Sequence, residues 1–393
     1  MTDVERREPI RVGVAGTGFA ASAHLDALRR LPGVEVVAIA GTDLERTRRV
    51  AESQGVPHAY AGHAALLDHP GLDAVHVCTV NRLHHEVSLA ALERGLNVLS
   101  EKPLALDRDQ GAELVAAASR SGAVAAVCFN YRHYPMVAEL RSRLADGAYG
   151  RPHFVHGSYL QDWLLAASDW NWRLDPAEGG ASRAVADIGS HWMDLVQHVT
   201  DDRIVEVFAD LRTLHPTRHR PSRGAQTFER DDGGDGAATA VATEDYGSVL
   251  LRFASGARGA FQVSQTSAGR KNALSVNIDA EHAALSWSQE TPDRAWIGRR
   301  GEGNIDLVRD PGAMTAAAAR HTVLPAGHPE GWLDALRALM ADFYGAVRAG
   351  SVADRDLATF EQGHQLVCVV DAIVESNREQ RWVRVPAGLE IPA

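Results

Sequence analysis

Short apolar runs alternate with longer segments of helical periodicity over the first 130 residues of the chain. The apolar runs begin at Ile10, Val34, Ala74, Asn97 and Val124. Strands that are apolar on both faces and separated by amphipathic helices are typical of a parallel sheet with helices on both sides. We therefore predict an α/β domain with a doubly wound parallel sheet over residues 1–130.

From residue 131 to residue 393, apolar and polar positions alternate with a period of two in several segments. This alternation is typical of an antiparallel sheet with one covered and one open face. We therefore predict a second, α+β domain with an open-faced, mainly antiparallel sheet. Its predicted strands are Ile204–Leu211, Ser248–Phe253, Gly259–Ser264, Leu274–Asp279 and Ala283–Ser288.

Helices and loops are predicted around this sheet. The segment 218–243 is rich in Gly, Ala, Asp and Arg and lacks periodicity, so we expect a long mobile loop there. The other predicted elements are a helix at Met136–Ala145, a strand at His153–Tyr159, a Trp-rich loop at 161–172, and helices at about Ile188–Val199, Gly331–Ala349 and Phe360–Ser376.

Composition and charge narrow the range of partners. The 393 residues include 40 Lys and Arg against 51 Asp and Glu, a net charge of −11, without an extended basic cluster. A nucleic-acid surface needs clustered basic residues, so we expect no nucleic-acid partner. No apolar stretch approaches the roughly 20 residues that span a bilayer, and the charged N-terminus lacks an apolar signal region. We expect a cytoplasmic protein with no membrane partner.

A glycine-rich turn follows the first predicted strand and precedes a predicted helix. Residues 16–21 read Gly-Thr-Gly-Phe-Ala-Ala, with the spacing G-x-G-x-x-A. Gly16 permits a tight turn, Gly18 lets the backbone approach a pyrophosphate, and the helix N-terminus stabilises the anion. The turn predicts a dinucleotide-binding, Rossmann-type domain. The residues expected to contact the cofactor here are Gly16, Thr17, Gly18, Phe19 and Ala20.

The end of the second predicted strand bears on the choice between NAD and NADP. An acidic side chain there binds the ribose hydroxyls of NAD, whereas an arginine favours the 2′-phosphate of NADP. The strand ends in Gly41-Thr42-Asp43, and no arginine precedes Arg46. These residues favour NAD, with NADP still possible, because Asp43 is also a natural N-cap for the next helix.

Further motifs follow in a characteristic order. They are Thr79–His84 after the third of these apolar runs, Glu101–Pro103 after the next one, Asn130–Arg132, the pair Gly179-Gly180, and Asp187–His191. Together with the glycine turn, this set resembles the glucose–fructose oxidoreductase/inositol dehydrogenase/MocA (Gfo/Idh/MocA) family over essentially the whole chain. The combination of E-K-P with D-x-G-x-H is specific, whereas either motif alone is not. One departure is Val80, where the family commonly has proline.

The resemblance implies roles for individual residues. In the family, the lysine of E-K-P, the aspartate and the histidine surround the carbinol that loses hydride, which corresponds here to Lys102, Asp187 and His191. The family's second domain often builds dimers or tetramers, so we expect a homo-oligomer, such as a homotetramer. The resemblance adds Thr79, Asn81, His84, Glu101 and Lys102 to the cofactor site. The substrate site is expected to contain Lys102, Tyr131, Arg132, Gln161, Trp163, Asp187 and His191.

These residue types suit the oxidation of a secondary alcohol. His191 can act as general base, Asp187 can hold it or a substrate hydroxyl, and Lys102 can stabilise a developing alkoxide. Simpler alternatives are a surface lysine, an ordinary helix cap at Asp187, or a metal site with Asp187 and His191 as ligands. A third metal ligand is not evident in the sequence, so we expect no metal.

The sequence therefore predicts an NAD(P)-dependent dehydrogenase that acts on a sugar, anhydrosugar, glycoside or inositol. The segment Ser158–Trp163 looks most like the branch of the family that acts on anhydrosugars and glycosides, typified by levoglucosan dehydrogenase. Trp163 can stack on a sugar, and Gln161 can bind hydroxyls. Two alternatives are an NAD-dependent glycosidase or epimerase that recycles its cofactor, and a non-enzymatic sensor of NAD and sugar.

Overall fold

The computed structural model describes residues 8–221, 236–353 and 355–386. Within these residues, the predicted parallel sheet is confirmed, with the order β17-β6-β5-β4-β1-β2-β3. The central strand β1 pairs in parallel with both β2 and β4, so the chain reverses direction across the sheet at this point. Such a switch point opens a ligand-binding crevice at the carboxyl ends of the strands. The strands are β1 (Ile10–Ala15), β2 (Val34–Gly41), β3 (His58–Ala61), β4 (Ala74–Val77), β5 (Asn97–Ser100), β6 (Ala125–Val127) and β17 (Ala358–Thr359).

The helices cover both faces of this sheet and connect it to the second sheet. In chain order they are α1 (Phe19–Arg29), α2 (Leu44–Ser53), α3 (His63–Leu67), α4 (His84–Glu93), α5 (Arg108–Ser121), α6 (Pro135–Ala145), α7 (Pro176–Gly179), α8 (Ser190–Thr200), α9 (Ala316–Ala319), α10 (Trp332–Ala349) and α11 (Phe360–Glu379). No helix among the described residues combines the length and apolar character needed to cross a bilayer.

The C-terminal part of the chain returns to the first sheet. Strand β17 pairs antiparallel with β6, and α10 packs against α1. Leu339 and Phe343 of α10 belong to the same apolar core as Val12 and Leu25. The division at residues 130 and 131 therefore stays a prediction, and the first sheet and its helices contain elements from both sides of it. Periodicity is local and does not reveal where a later segment packs.

The second sheet is mainly antiparallel, as expected, with the order β16-β15-β14-β13-β7-β12-β11-β8-β18 in the described residues. Its one parallel pair there is β7 with β12. The core on one face of the first sheet continues into the covered face of this second sheet. Its strands are β7 (Pro152–Leu160), β8 (Ile204–Arg212), β11 (Tyr246–Phe253), β12 (Arg258–Ser264), β13 (Ala273–Ala280), β14 (Ala284–Ser288), β15 (Arg294–Gly298), β16 (Ile305–Val308) and β18 (Val383–Arg384).

The prediction of a mobile loop over 218–243 is wrong for the residues that the structure describes. Strands β9 (Thr217–Arg220) and β10 (Ala237–Ala240) form an antiparallel pair, and Arg218 is completely buried. The part of the predicted loop from 222 to 235 lies outside the described residues. The two strands have four residues each and lack apolar alternation, so no pattern in the sequence indicates them. Their position is set by hydrogen bonds from Arg218, described below.

Candidate active site

Lys102 and Asp187 meet at the carboxyl edge of the first sheet. Strand β5 ends at Ser100, which places Glu101-Lys102-Pro103 at this edge. Lys102 Nζ donates to Asp187 Oδ1 over 2.7 Å and to the Asp187 carbonyl over 2.8 Å. Both side chains are largely buried, with 11% and 12% of their surface exposed. The end of β5 and the turn before α8 therefore bring these two side chains into direct contact.

Asp187 lies in a π-helical turn, Val185–Gly189, immediately before α8. Turns of this type are rare and often occur at functional sites. Besides Lys102, the carboxylate accepts from Arg173 Nε over 3.1 Å and from Gln265 Nε2 over 2.9 Å. Burial favours the neutral acid, but the charges of Arg173 and Lys102 prevail and hold the pKa of Asp187 well below its usual value. The Asp187 carboxylate is therefore ionised and accepts hydrogen bonds from two cationic side chains and one amide.

His191 lies in the first turn of α8, with 9% of its surface exposed. Its ring packs edge-to-face against Tyr131, with 4.8 Å between ring centroids. Burial, and then the charge of Lys102, lower the pKa of His191 to about 3. Its Nδ1 has no hydrogen-bond partner among the described residues. The imidazole is therefore neutral near pH 7 and can accept a proton.

The predicted substrate residues Tyr131, Gln161 and Trp163 belong to one hydrogen-bonded group centred on Asn272. Trp163 Nε1 donates to Gln161 Oε1 over 2.8 Å, and Gln161 Nε2 donates to Asn272 Oδ1 over 3.1 Å. Asn272 Nδ2 donates to the Tyr131 hydroxyl over 3.1 Å, and Tyr131 touches His191. The group therefore extends from the Trp-rich loop to the His191 ring.

Arg132 lies elsewhere. Its guanidinium is buried in a bidentate ion pair with Asp194, with N–O distances of 2.6 and 2.8 Å. It also donates to the Leu357 carbonyl and to Gln362 Oε1. This geometry joins α8 to the start of α11 and leaves Arg132 apart from Lys102, Asp187 and His191. Its neighbour Tyr131 faces the site instead.

The glycine turn has the form that a dinucleotide requires. Gly16 has a φ of +129°, and a Cβ there would lie 2.2 Å from the Cys78 carbonyl oxygen, so only glycine fits. A Cβ on Gly18 would meet nothing within 4 Å, which leaves space beside the N-terminus of α1. Phe19 and Ala20 begin that helix, and the Thr17 methyl group lies 2.8 Å from where a Cβ on Gly41 would be. The amides at this helix end can bind a phosphate.

Different hydrogen bonds hold the residues predicted at the ribose end of the cofactor site and the loop that follows β4. Asp43 caps α2 by accepting from Arg46 N over 2.6 Å, with Thr42 exposed beside it. Asn81 donates to the Gly179 carbonyl. The His84 ring nitrogens lie 2.7 Å from the Pro103 carbonyl oxygen and 3.2 Å from the Thr79 carbonyl oxygen, so the ring lies inside the loop and supports it. The buried Thr79 hydroxyl has no hydrogen-bond partner among the described residues.

Glu101 ends a buried chain of hydrogen bonds that sequence reasoning missed. Glu101 Oε1 lies 3.0 Å from His24 Nε2, His24 Nδ1 lies 2.8 Å from His76 Nδ1, and His76 Nε2 lies 2.7 Å from the Tyr344 hydroxyl. With both imidazoles neutral, one arrangement satisfies every atom: each group donates toward Glu101. Burial raises the pKa of Glu101, but the hydrogen bond from His24 and the charge of Lys102 outweigh it and lower the pKa to about 2. Glu101 is therefore a fixed carboxylate whose Oε2 accepts from the Lys102 amide.

Comparisons with known proteins find similar sequences and structures over nearly the whole chain. The family described as "Oxidoreductase family, NAD-binding Rossmann fold" matches residues 10–129, and the "GFO/IDH/MocA C-terminal domain" matches residues 137–286. The chain is 30% identical to levoglucosan dehydrogenase of Pseudarthrobacter phenanthrenivorans, over 96% of this chain and 98% of the relative. This chain belongs to the Gfo/Idh/MocA oxidoreductase family.

Other members of the Gfo/Idh/MocA family are also similar to the chain. A 1,5-anhydro-D-fructose reductase of Ensifer adhaerens is 29% identical over 81% of this chain and 89% of that protein. The solved structure of a levoglucosan dehydrogenase in complex with NADH and L-sorbose has a TM-score of 0.87 and 27% identity, covering 96% of this chain and 100% of that chain. As a family member, the chain is an NAD-dependent oxidoreductase with an NAD-binding Rossmann domain.

Sequence reasoning missed Arg173, Gln265 and Asn272. Arg173 directly follows the Trp-rich loop, and an arginine beside two tryptophans was a usable signal. Gln265 and Asn272 carry no motif and reach the site because β12 and β13 flank β7 in the second sheet. Their partners are distant in sequence: Gln265 is 78 residues from Asp187, and Asn272 is 141 residues from Tyr131.

Proposed function

We propose that this protein oxidises a secondary hydroxyl of an anhydrosugar or a related sugar, with NAD as hydride acceptor. The observation that carries the proposal is the contact of Lys102 with Asp187 at the carboxyl edge of the first sheet, beside a neutral His191 and next to the glycine turn. NAD would be held by the glycine turn, Thr79 and Asn81, and it supplies the acceptor for the hydride when bound.

Each catalytic residue has a separate task in this proposal. The neutral His191 imidazole accepts the proton of the substrate hydroxyl, while the C–H bond at the same carbon releases hydride. The Lys102 ammonium stabilises the negative charge that develops on the oxygen. Asp187 stays ionised and orients Lys102, because its oxygens already accept from Lys102, Arg173 and Gln265. Asp187 therefore acts as an anchor and not as the base.

The other functions considered from the sequence are less well supported. A glycosidase or epimerase would use the same residues and return the cofactor to its starting state, but the matching relatives named above are a dehydrogenase and a reductase. A sensor would not require the Lys102–Asp187–His191 group. Incubation with NAD⁺ and a panel of anhydrosugars, glycosides, aldoses and inositols separates these functions. Accumulation of NADH is expected; a converted sugar without net NADH would indicate a recycling enzyme.

Gln161 and Trp163 are proposed to determine the sugar. Trp163 is only partly buried, and its indole N–H orients the Gln161 amide. Trp163→Ala is expected to raise KM for the sugar about tenfold while the NADH Kd is unchanged, since the loss is confined to substrate contacts. Steady-state kinetics and a fluorescence titration with NADH measure the two quantities. A weakened NADH affinity with an unchanged sugar KM would contradict the assignment.

The cofactor choice can be tested independently. Asp43 and Thr42 provide no cation for a 2′-phosphate, so NADH should bind at least roughly tenfold more tightly than NADPH. Calorimetric titration of both cofactors measures this ratio. Tighter binding of NADPH would instead implicate Thr42 and Arg46.

We also propose that the protein forms a homo-oligomer through the open face of the second sheet. Leu250 and Phe154 are exposed there, at 48% and 36%, and lie on β11 and β7 of the same sheet. Light scattering after size exclusion is expected to give a dimer or tetramer that dissociates in Leu250→Asp. Leu324→Asp, at an exposed leucine outside the sheet, is the control and should not alter the mass. A monomeric wild type would overturn the proposal.

A further inference from the structure

We propose that Gln265 is a positioning residue for Asp187, and that the buried chain Arg218–Asp245–Arg183–Gln265 couples the Trp-rich loop to this catalytic carboxylate. We refer to these four residues as the relay. The proposal rests on the proposed function, because it concerns the same site. It adds a link between the loop that is proposed to bind the sugar and the group that orients Lys102.

The side chain of Gln265 has a single possible orientation. Its Nε2 donates to Asp187 Oδ2 over 2.9 Å, and its Oε1 accepts from Arg183 Nη1 over 2.6 Å. An arginine can only donate and an ionised aspartate can only accept, so a rotated amide would lose both hydrogen bonds. Gln265 is completely buried, so bulk solvent cannot compensate for such a loss. Its amide therefore fixes the second oxygen of Asp187, while Lys102 and Arg173 bind the first.

The backbone of Gln265 also forms hydrogen bonds, one with Asp245 of the relay and one with the Trp-rich loop. Its N–H donates to the Asp245 carbonyl over 3.1 Å, and its carbonyl accepts from Leu164 N over 3.1 Å. Leu164 follows Trp163 in the Trp-rich loop. A single residue thus holds the loop through its main chain and the catalytic carboxylate through its side chain.

The rest of the relay fastens the loop at three further points. Arg218 donates to the carbonyls of Leu164, Ala166 and Asp169 over 2.9, 2.7 and 3.2 Å. It also donates to Asp245 Oδ1 over 2.7 Å, and the same oxygen pairs with Arg183. A displacement of the loop backbone at Leu164, Ala166 or Asp169 therefore acts on Arg218. Arg218 is linked through Asp245 to Arg183, and Arg183 is bonded to Gln265.

The composition of the relay argues for a role beyond stability. Arg183, Arg218 and Asp245 are at most 1% exposed, and two guanidinium groups share one carboxylate. Replacing buried ion pairs by apolar residues of similar volume is often neutral or stabilising, so such a group is a poor way to stabilise a fold. A displacement of about 1 Å at an active site can reduce a rate about a hundredfold, so accurate placement of Asp187, which orients Lys102, is a sufficient reason to retain the relay.

The first test removes the Gln265 amide. Gln265→Met keeps the length of the side chain and is expected to lower kcat roughly tenfold to a hundredfold while the NADH Kd stays within about twofold. Gln365→Met is the matched control. Gln365 is half-buried in α11, and its amide also makes two hydrogen bonds: it donates to the Ile204 carbonyl and accepts from Gln197. The control should leave kcat within about twofold. A kcat of Gln265→Met within about twofold of the wild type overturns the positioning role.

The second test distinguishes positioning from a merely structural role. Gln265→Glu retains the bond with Arg183, but the introduced carboxyl group can donate to Asp187 only when it is protonated. The ratio of the kcat of this variant to that of the wild type is therefore expected to rise at least about threefold as pH is lowered from about 9 to about 6. A ratio that is low and independent of pH would mean that Gln265 only fills space. This variant also serves if Gln265→Met does not fold.

The third test measures the coupling. Arg218→Lys keeps the charge but cannot reach three carbonyls and Asp245 together, so KM for the sugar should rise and kcat should fall. In the double variant with Gln265→Met, the two losses in kcat should be far from multiplicative, because both act on one chain of contacts. Multiplicative losses would overturn the coupling.

A structural measurement keeps the relay testable if the proposed function fails. If the wild-type protein oxidises no member of the sugar panel, the proposed function is wrong, and crystal structures then decide the relay. In both Gln265→Met and Arg218→Lys, the Asp187 carboxylate is expected to rotate or shift relative to Lys102. An unchanged carboxylate in both variants overturns the relay whatever the substrate is.

Discussion

At the scale of single residues, the two glycines of the turn have different physical reasons to be glycine. Gly16 is required by the protein itself, because its φ is positive and a Cβ would collide with the Cys78 carbonyl. Gly18 has an ordinary φ of −93° and open space around its Cα. The packing of the protein therefore does not require glycine at this second position, whereas the close approach of a pyrophosphate does.

This difference leads to the first prediction. Gly16→Ala is expected to destabilise the protein by about 2 kcal/mol or more, since it forces a strained backbone. Gly18→Ala should leave the free energy of unfolding within about 0.5 kcal/mol of the wild type but weaken NADH binding at least roughly tenfold, because the methyl group occupies the approach of the pyrophosphate. Chemical denaturation and NADH titration measure the two effects. Normal NADH affinity in Gly18→Ala would place the pyrophosphate elsewhere.

The second prediction at this scale concerns substitutions of Lys102 and His191. Lys102→Ala and His191→Ala should each slow oxidation by roughly a hundredfold or more, as expected for a lost acid–base group, while NADH still binds. The double variant should be little slower than the worse single variant, because both groups act on the same substrate hydroxyl. Because the Lys102 charge lowers the pKa of His191, Lys102→Ala should also raise that pKa, measurable by NMR of the imidazole. Near-normal turnover in both single variants would contradict the assignment.

At the scale of elements, helix α10 contributes a hydrogen bond to the chain that ends at Glu101, although α10 comes late in the sequence. Tyr344 of α10 bonds to His76 of β4, which bonds through His24 of α1 to Glu101. A helix that begins at Trp332, near the end of the described chain, therefore supports the backbone of Lys102. The chain consists of neutral donors that end on one carboxylate, so the loss of any member leaves a buried group unpaired.

The corresponding prediction concerns Tyr344→Phe. Removal of the hydroxyl leaves the buried His76 Nε2 without a donor, which should lower the free energy of unfolding by about 1–3 kcal/mol. Tyr60→Phe is the control, because Tyr60 is half-buried and its hydroxyl bonds to His69 in the less buried β3 region. It should lose less than about 1 kcal/mol. Equal losses in the two variants would mean that the hydrogen-bond chain to Glu101 contributes no more to stability than the Tyr60–His69 hydrogen bond.

At the scale of the whole molecule, several histidines are buried in neutral form. Burial lowers the pKa of His133 to about 4 and of His191 to about 3, and it lowers the pKa of His76 and His198 well below 6.5. As pH falls through about 6.5, the unfolded chain takes up protons on these groups and the folded protein does not. Stability is therefore complete above about pH 6.5 and decreases below it.

The prediction is an acid-sensitive fold. Between about pH 6.5 and about 4.5, each such histidine should reduce the free energy of unfolding by up to about 1.4 kcal/mol per pH unit. Denaturation curves at several pH values measure this slope. His133→Leu should have a shallower slope than the wild type, whereas His153→Leu, at an exposed histidine, should not change it. An identical slope in His133→Leu would show that His133 titrates equally in both states.

The sequence by itself determined the Rossmann sheet, the open-faced second sheet and the turn at Gly16, because periodicity and a required φ are local properties. It also marked Lys102, Asp187 and His191 as a group through the order of their motifs. Only the tertiary structure decided that Arg132 turns into the core while Tyr131 faces the site, and that Arg218 is the buried residue of an otherwise exposed strand. Arg173 and Gln265 join Asp187 from 14 and 78 residues away. Such contacts depend on which strands become neighbours in a sheet. The local pattern of a segment does not indicate which distant segment will contact it.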